Sequence, residues 1–600
     1  MNVCSLNNSE VDLINMRITL IREELKNRNL DAFIVPRADE YLGEYVPAKN
    51  ERLKWLTGFS GSAGLCIVLK RKTVLFVDGR YTIQVRQQVP DDGFEFKHII
   101  KDHPIAWLSE TLMSESRVGI DPRLHSLSWF QETKDILSQK KIELIELTEN
   151  PIDSKWKNRP EESKEKYTLL DKIYTGTTSE KKRHLASIEL KTKKAEFALI
   201  TQLDSIAWIL NIRGKDIPRL PVLLAFGILK NTGEMILFTD PEKLPEGFHK
   251  HVGKGVKVKP LKKLELTLKK LAKKGANVMA DPKTSNAWCQ LTCLRSGSTL
   301  IASPDPVALP KAIKNKTELK GIRNCHIRDG AALTGFLSWI SREVNKGHLH
   351  DEKLLSDKLL SHRKPLKNFQ DLSFDTISAA GKNAALAHYN HLNGKPSVLE
   401  LDSLYLVDSG AQYLDGTTDV TRTIGIGTPS EEHKKMFSLV LKGHIALATA
   451  VFPKGTTGGH LDALARQFLW KEGFDYDHGT GHGVGAFLSV HEGPQNISKS
   501  MSAQPLIPGM VLSNEPGYYK EKEYGIRCEN LIVVIEEKNK MLSFETITFA
   551  PFDKNLIDRK FLSEKEIDWI NTYHQHVREK LSAHLNGSDL EWLNNATQTI

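Results

Sequence analysis

The chain has 600 residues, 40% hydrophobic and 26% charged, with 83 basic against 74 acidic residues for a net charge of +9. This is ordinary soluble-globular composition, too long for one hydrophobic core and sized for three or four domains. No apolar run approaches the roughly 18 residues of a membrane span, and MNVCSLNNSEVDLINMR has neither the basic head nor the apolar core of a signal peptide, so export is unsupported.

Much of the basic excess lies in lysine runs such as LTLKKLAKKGAN (266–277), the pattern of a solvated helix face rather than a nucleic-acid groove. The cysteines, Cys4, Cys66, Cys289, Cys293, Cys325 and Cys528, are scattered. Cys289 and Cys293 lack the second pair a zinc site needs, so all six read as buried or free thiols of a reducing cytoplasm.

From Arg17, RITLIREELKNRNL predicts an amphipathic helix, DAFIVP a buried strand closed by Pro36, and GLCIVLKRKTVLFVD a strand-turn-strand ending at Asp78. The polar stretch ENPIDSKWKNRPEESKEKY (149–167) reads as a linker. The same order then recurs in KKRHLASIELKTKKA, AEFALI, LDSIAWILNIRG and PVLLAFGILKNTGEMILFTD. KWLTGFSG parallels AWILNIRG and VLFVD parallels ILFTD, which points to two α/β domains related by duplication, with chance likeness as the alternative. Neither contains a phosphate loop or a GxGxxG after a strand, so nucleotide binding has no support.

A long helical pattern, LPKAIKNKTELKGIRNCHIRDGAAL (309–333), opens a third segment that holds every dense motif, and KEIDWINTYHQHVREKLSAHL reads as a closing amphipathic helix. The predicted parts are 1–160, 161–308, 309–552 and 553–600, in an α/β (α+β) fold.

In the third segment HGTGHGVGAFLSVHEGP (478–494) carries His478, His482 and His491 among five glycines. The glycines disfavour a helix and HExxH is absent, which leaves a glycine-rich strand or bulge presenting one or two imidazoles. Carboxylates supply the context. LYLVDSGAQYLDGTTDVTRTIGIG (404–427) alternates as two strands, with Asp415-Gly416 as a two-residue turn. Symmetric pairing about that turn sets Asp419 opposite Gln412, on one face with Gly410 and Asp408; a one-residue slip would separate the carboxylates. Glu515 follows the strand-like GMVLSN, and Glu529 sits at the mouth of the apolar LIVVI. Like charges on a buried face need a cation or proton, and four carboxylates with one imidazole suit two divalent ions of the Mn, Fe, Co or Zn kind.

The set VDSGAQY, TTDVTRT, HGTGHGVG, VHEGP, NEPGYY and GIRCEN resembles the aminopeptidase P (X-prolyl aminopeptidase) family of pita-bread metallopeptidases. PRADEYLGEYVPAKNERLKWLTGFSGSAG (36–64), FVDGRY (76–81), LDSIAWILNIRG and ALPKAIKN extend the likeness to the long three-domain cytosolic form, so it covers nearly the whole chain. It implies two related N-terminal α/β domains, a C-terminal pita-bread catalytic domain and two divalent metals, Mn2+ first and Co2+ or Zn2+ as alternatives. Asp408 would bind one metal, Asp419 and Glu529 bridge, and His482 with Glu515 bind the other. Glu515 would be the general base for a bridging water. His388 and His491 would serve substrate and transition state, and His478 would neighbour the bound proline. Arg80, Tyr519 and Arg527 would support peptide binding, beside the ligand His482. A homodimer, with the C-terminal segment as contact surface, is expected on the same ground.

Two departures stand out. Cys528 replaces an aliphatic residue beside Glu529, which would make the site sensitive to oxidation, and NHLNGKPSVLE after His388 is atypical. The glycines around the histidines are expected to give backbone clearance beside the bound peptide. A prolidase restricted to X-Pro dipeptides, and a metal-free binding scaffold of the same fold, are the alternative readings.

Overall fold

Ile14, Ile18, Ile21 and Leu25, spaced by three and four residues, are the buried stripe of a helix, α1 (Asn8–Asn27), that begins well before the Arg17 expected from its periodicity. The computed structural model describes residues 8–272, 275–500 and 502–600; Cys4 lies outside them. The other five cysteines are buried free thiols.

Contacts divide the chain into two units, one comprising the chain through Leu169 with Thr178–Pro218 and Val222–Val307, the other Leu170–Thr177, Arg219–Pro221 and Ala308–Ile600. In the first unit β1 (Ala32–Pro36), β2 (Gly64–Leu69), β3 (Thr73–Val77), β4 (Phe94–His98), β5 (Arg117–Ile120) and β6 (Glu143–Glu146) form a sheet of order β4-β3-β2-β1-β5-β6. Alternate residues serve opposite cores. Phe33 and Val35 pack with Ile14, Ile18 and Ile21, whereas Ala32 and Ile34 pack with Leu108, Leu127 and Phe130. Both faces are covered, which is why these strands read as unbroken apolar runs.

A second sheet repeats the plan with β7 (Phe197–Ile200), β8 (Phe226–Lys230), β9 (Met235–Phe238), β10 (Val256–Lys259), β11 (Asn277–Ala280) and β12 (Thr299–Ala302), in order β10-β9-β8-β7-β11-β12. Each pairing matches its counterpart in sense, antiparallel for the first two hairpins and parallel for the outer strands. The two halves therefore share one topology. Part of the presumed linker is folded: Asp153 in the short helix Pro151–Lys155 pairs with Arg52, and Trp156 stacks on Trp55.

The second unit contains a long helix, α2 (Lys316–Asn345), started by a capping box between Asn315 and Glu318. One small sheet joins β13 (Phe369–Leu372), β16 (Ala411–Tyr413) and β17 (Gly416–Thr417); another joins β14 (Ile377–Ala380), β15 (Ser403–Ser409) and β18 (Val420–Ile426). A five-stranded sheet runs β20-β19-β21-β24-β25, from β19 (Gly481–Gly483), β20 (Glu492–Ile497), β21 (Val511–Asn514), β24 (Asn530–Glu536) and β25 (Leu542–Thr546). The hairpin β22 (Gly517–Lys520) and β23 (Tyr524–Arg527) completes the strands, and a helix, Glu564–Leu581, lies near the C-terminus, as the sequence predicts.

The hairpin around Asp415 differs from expectation. Tyr413 pairs with Gly416 and Gln412 with Thr417, so the turn is Leu414-Asp415. Gly416 is needed for packing rather than for the turn: a Cβ there would meet Cys325 Sγ at 2.6 Å, on α2. Asp415 accepts from Arg328 at 2.6 Å on the same helix. Because β15 and β18 keep this register, with Asp408 opposite Thr421 and Ser409 opposite Val420, its continuation sets Asp419 opposite Gly410 instead of Gln412. The displacement is two residues, so the side-chain face is preserved.

Candidate metal centre

Two sheets bring the acidic residues to one place. Asp408 is the penultimate residue of β15, Asp419 immediately precedes β18, Glu515 immediately follows β21 and Glu529 immediately precedes β24. His482 is the middle residue of β19, where the pairing with β20 is irregular between His482 and Gly483, the bulged glycine-rich strand expected from sequence. Ligand atoms of Asp419, His482 and Glu529 lie within 4.8 Å of one another. His482 Nε2 is 3.4 Å from Asp419 Oδ2 and 3.4 Å from Glu515 Oε1. Asp408, Asp419 and Glu529 are buried, and the Glu515 side chain is 18% exposed.

The surrounding bonds orient these groups. The His482 Nδ1–H donates to Gly483 O at 2.9 Å, which sets the tautomer and turns Nε2 toward the carboxylates. Ser513 Oγ accepts the His482 backbone N–H at 2.9 Å and donates to Glu515 Oε1 at 3.1 Å. Thr421 Oγ1 donates to Glu529 Oε2 at 2.7 Å. Arg527 donates to Asp408 Oδ2 at 2.6 Å, to Thr421 Oγ1 at 3.1 Å and to Tyr519 Oη at 2.6 Å. Asp408 Oδ1 is buried without a hydrogen-bond partner.

Electrostatics point the same way. Burial, with Asp419, Asp408 and Glu515 nearby, holds the Glu529 carboxyl well above the usual range. Burial raises Asp408 to about 6 against the opposing charge of Arg527, and raises Glu515 as well. Burial works against charge on the His482 ring, but Asp419 and Glu515 outweigh it and lift the imidazole to about 9. A cluster that draws protons this strongly is short of positive charge. An orphaned carboxylate oxygen, an inward Nε2 and an oxygen-rich donor set fit divalent cations.

The remaining histidines border this cluster. The rings of His491 and His482 meet edge to face with centroids 4.3 Å apart. The His478 Nδ1–H donates to Gly479 O at 2.8 Å, and its Nε2 lies 2.7 Å from Tyr519 Oη. Since Tyr519 Oη already accepts from Arg527, its own hydroxyl hydrogen is free to go to His478 Nε2. Burial, then the Arg527 charge, push the His478 imidazole down to about 3, so it is neutral. Exposed His388 lies close enough for its charge to act on His478. Arg80 belongs to the first unit, where Asp78 holds its guanidinium at 2.6 Å.

Two expectations change. At Gly481 and Gly483 the glycine clearance is taken up by neighbouring strands, where a Cβ would meet Ser513 O at 2.0 Å and Glu492 O at 2.2 Å, whereas a Cβ at Gly493 would meet nothing within 4 Å. Cys528 is wholly buried, and burial raises its thiol to about 12, which suppresses the thiolate on which oxidation depends. The reading of the sequence missed Thr421 and Ser513. Both stand two residues from a carboxylate of the cluster, Thr421 after Asp419 and Ser513 before Glu515, which was the available signal.

Residues 320–536 match the model for metallopeptidase family M24, 17–153 and 158–318 each match a creatinase/prolidase N-terminal domain, and 540–600 match the C-terminal region of peptidase M24. A probable Xaa-Pro aminopeptidase P of Paracoccidioides brasiliensis (strain Pb03) is 41% identical, covering 97% of this chain and 99% of its own. Its counterpart in Aspergillus fumigatus (strain CBS 144.89 / FGSC A1163 / CEA10) is 40% identical over 97% and 92%. Among solved structures, an X-prolyl aminopeptidase from Caenorhabditis elegans, described as a cytosolic enzyme with a di-nuclear active site, matches with a TM-score of 0.90 at 36% identity and covers 95% of each chain.

Proposed function

The chain belongs to metallopeptidase family M24, with two creatinase/prolidase-type domains ahead of a pita-bread catalytic domain, and from that premise we infer that it is a dinuclear-metal aminopeptidase releasing the N-terminal residue from peptides with proline in second position. The observation that carries this reading is the convergence of Asp419, His482, Glu515 and Glu529 beside the unpartnered Asp408 Oδ1.

Asp408 would hold one cation, His482 and Glu515 the other, with Asp419 and Glu529 shared between them. When bound there, two such ions would supply a water of lowered pKa and Lewis-acid polarisation of the scissile carbonyl. Oxygen-dominated ligands with one imidazole favour Mn2+, with Co2+ or Zn2+ as substitutes.

Glu515 accepts the proton of the attacking water and passes it to the leaving prolyl nitrogen; burial raises its carboxyl above the usual range, which strengthens it as a proton acceptor. His388 and His491 offer N–H donors to charge developing on the scissile oxygen or to the proline-side carbonyl, contacts worth about 3–4 kcal/mol each. His478, kept neutral by burial and hydrogen-bonded to Tyr519, lines the proline subsite. Proline lacks an amide N–H and has a locked φ, so a site shaped to its ring needs no acceptor at that position. Arg80 as a peptide contact rests on family resemblance, as does a homodimer. Cytoplasmic residence draws support from the C. elegans enzyme's description.

The test is to incubate the purified protein with Mn2+ and compare X-Pro-Y tripeptides with X-Pro dipeptides. Release of the first residue from tripeptides is expected. Cleavage of dipeptides alone would make it a prolidase, and neither cleavage nor bound metal would overturn both enzyme readings.

A further inference from the structure

His388 sits on an exposed turn, yet the chain on both sides of it is tied to one buried side chain. Glu352, at the N-terminus of the helix Glu352–Arg363, is 0% exposed. Its Oε1 accepts from the Ala380 N–H and from Asn383 Nδ2, both at 2.8 Å. Its Oε2 accepts from Tyr389 Oη and from the Ser397 N–H, again both at 2.8 Å. Asn383 Nδ2 also reaches Tyr389 Oη at 3.0 Å and Ser397 Oγ at 2.9 Å, and the Glu352 N–H returns a bond to Ser397 O at 3.0 Å.

Burying a carboxylate is costly unless its lone pairs are satisfied, and here four donors satisfy them. Two of the donors precede His388 and two follow it. A segment held mainly by apolar packing would need no such anchor, and the tip it carries is exposed, where packing cannot set one side-chain orientation.

We propose that Glu352 is a positioning residue for His388: it clamps both arms of residues 380–397 so that the imidazole meets the substrate already aimed. This rests on the X-Pro aminopeptidase reading of the same site. Pre-organisation matters because a hydrogen-bond donor contributes to the transition state only when it is already in place.

The experiment is a double-mutant cycle between Tyr389→Phe and His388→Ala in the metal-loaded full chain, with hydrogen exchange of residues 380–397 as a second readout. Tyr389→Phe deletes one of the four donors and leaves three, so the fold is retained. It should lower kcat/KM for an X-Pro-Y peptide by about tenfold, the scale of one lost bond to a charged group, and speed exchange in 380–397 alone. In the His388→Ala background it should cost nothing further, because both changes act through one imidazole. An equal loss in both backgrounds, or unchanged kinetics despite a loosened loop, would overturn the proposal. If the wild-type chain cleaved no X-Pro peptide, it is the functional reading that would fall; unchanged exchange in Tyr389→Phe would separately overturn the clamp.

Discussion

Arg527 donates through Nη2 to Asp408 Oδ2 at 2.6 Å and leaves Oδ1, the other oxygen of the same carboxylate, buried and without a hydrogen-bond partner. The arginine thus orients the carboxylate while leaving its second oxygen unoccupied. Its Nε and Nη1 reach Thr421 and Tyr519 at the same time, so it touches the surroundings of Glu529 and His478 as well. Lysine has one nitrogen and cannot make this fan of bonds. Arg527→Lys should weaken metal binding by about 10–100-fold, the usual cost of losing an outer partner of a metal ligand. Titration of Mn2+ into metal-stripped protein checks it, and unchanged affinity would count against the orienting role.

Glu515→Gln keeps the shape of the side chain and the Ser513 contact on Oε1 but removes the basic carboxylate. Turnover of X-Pro-Y peptides should disappear while the melting temperature of the metal-free protein stays near that of wild type. Substantial residual turnover would refute its assignment as the base.

Glu492 precedes the bulk of β20 and follows His491, and its side chain is gripped by two buried lysines of the ALPKAIKN motif. Lys311 Nζ is 3.0 Å from Oε1, and Lys314 Nζ contacts Oε2. Removing the shared acid strips a counter-charge from both ammonium groups in a dry interior. Glu492→Gln should therefore destabilise the chain by about 3–5 kcal/mol, the range for breaking a buried pair, and more than Lys311→Met, which keeps the Lys314 contact. Denaturant unfolding of the two variants side by side tests the order.

His574 and His444 are buried histidines whose imidazoles burial pushes down to about 3, with Arg422 adding to the effect. His574 Nε2 accepts the Phe552 N–H at 3.1 Å, a bond only the neutral ring can make. A histidine whose folded pKa lies below its unfolded value of about 6.5 leaves stability complete above that pH and erodes it as pH falls toward the folded pKa. Each such ring costs about 1.4 kcal/mol per pH unit over that window. His574→Leu should reduce the slope of stability against pH between 6.5 and 4 by about that amount; an unchanged slope would show that the ring is not titrating.

Much of the fold was legible because its signals are local. The apolar runs of β1, β2 and β3 and the helical stripe of α1 follow from spacing alone, and so does the recurrence of the same order after residue 180. Where the reading went astray, a distant partner decided. Asp415-Gly416 is the commonest kind of turn dipeptide, but Arg328 and Cys325 on α2 claim those two residues and move the turn to Leu414-Asp415. Gly481 and Gly483 read as clearance for a substrate, whereas Ser513 and Glu492 in adjoining strands fill the space.

By itself the sequence determined which residue types could hold charge together: acids beside apolar strands, and imidazoles in a segment too rich in glycine for a helix. It could do so because burying an unpaired charge is expensive at any position. Only the tertiary structure decided which atoms face inward, that Asp408 keeps one oxygen open, that His482 turns Nε2 to the acids, and that Glu352, more than thirty residues from His388 in the chain, holds its loop. Those outcomes depend on hydrogen bonds between elements far apart in the chain, and no spacing along it encodes their direction.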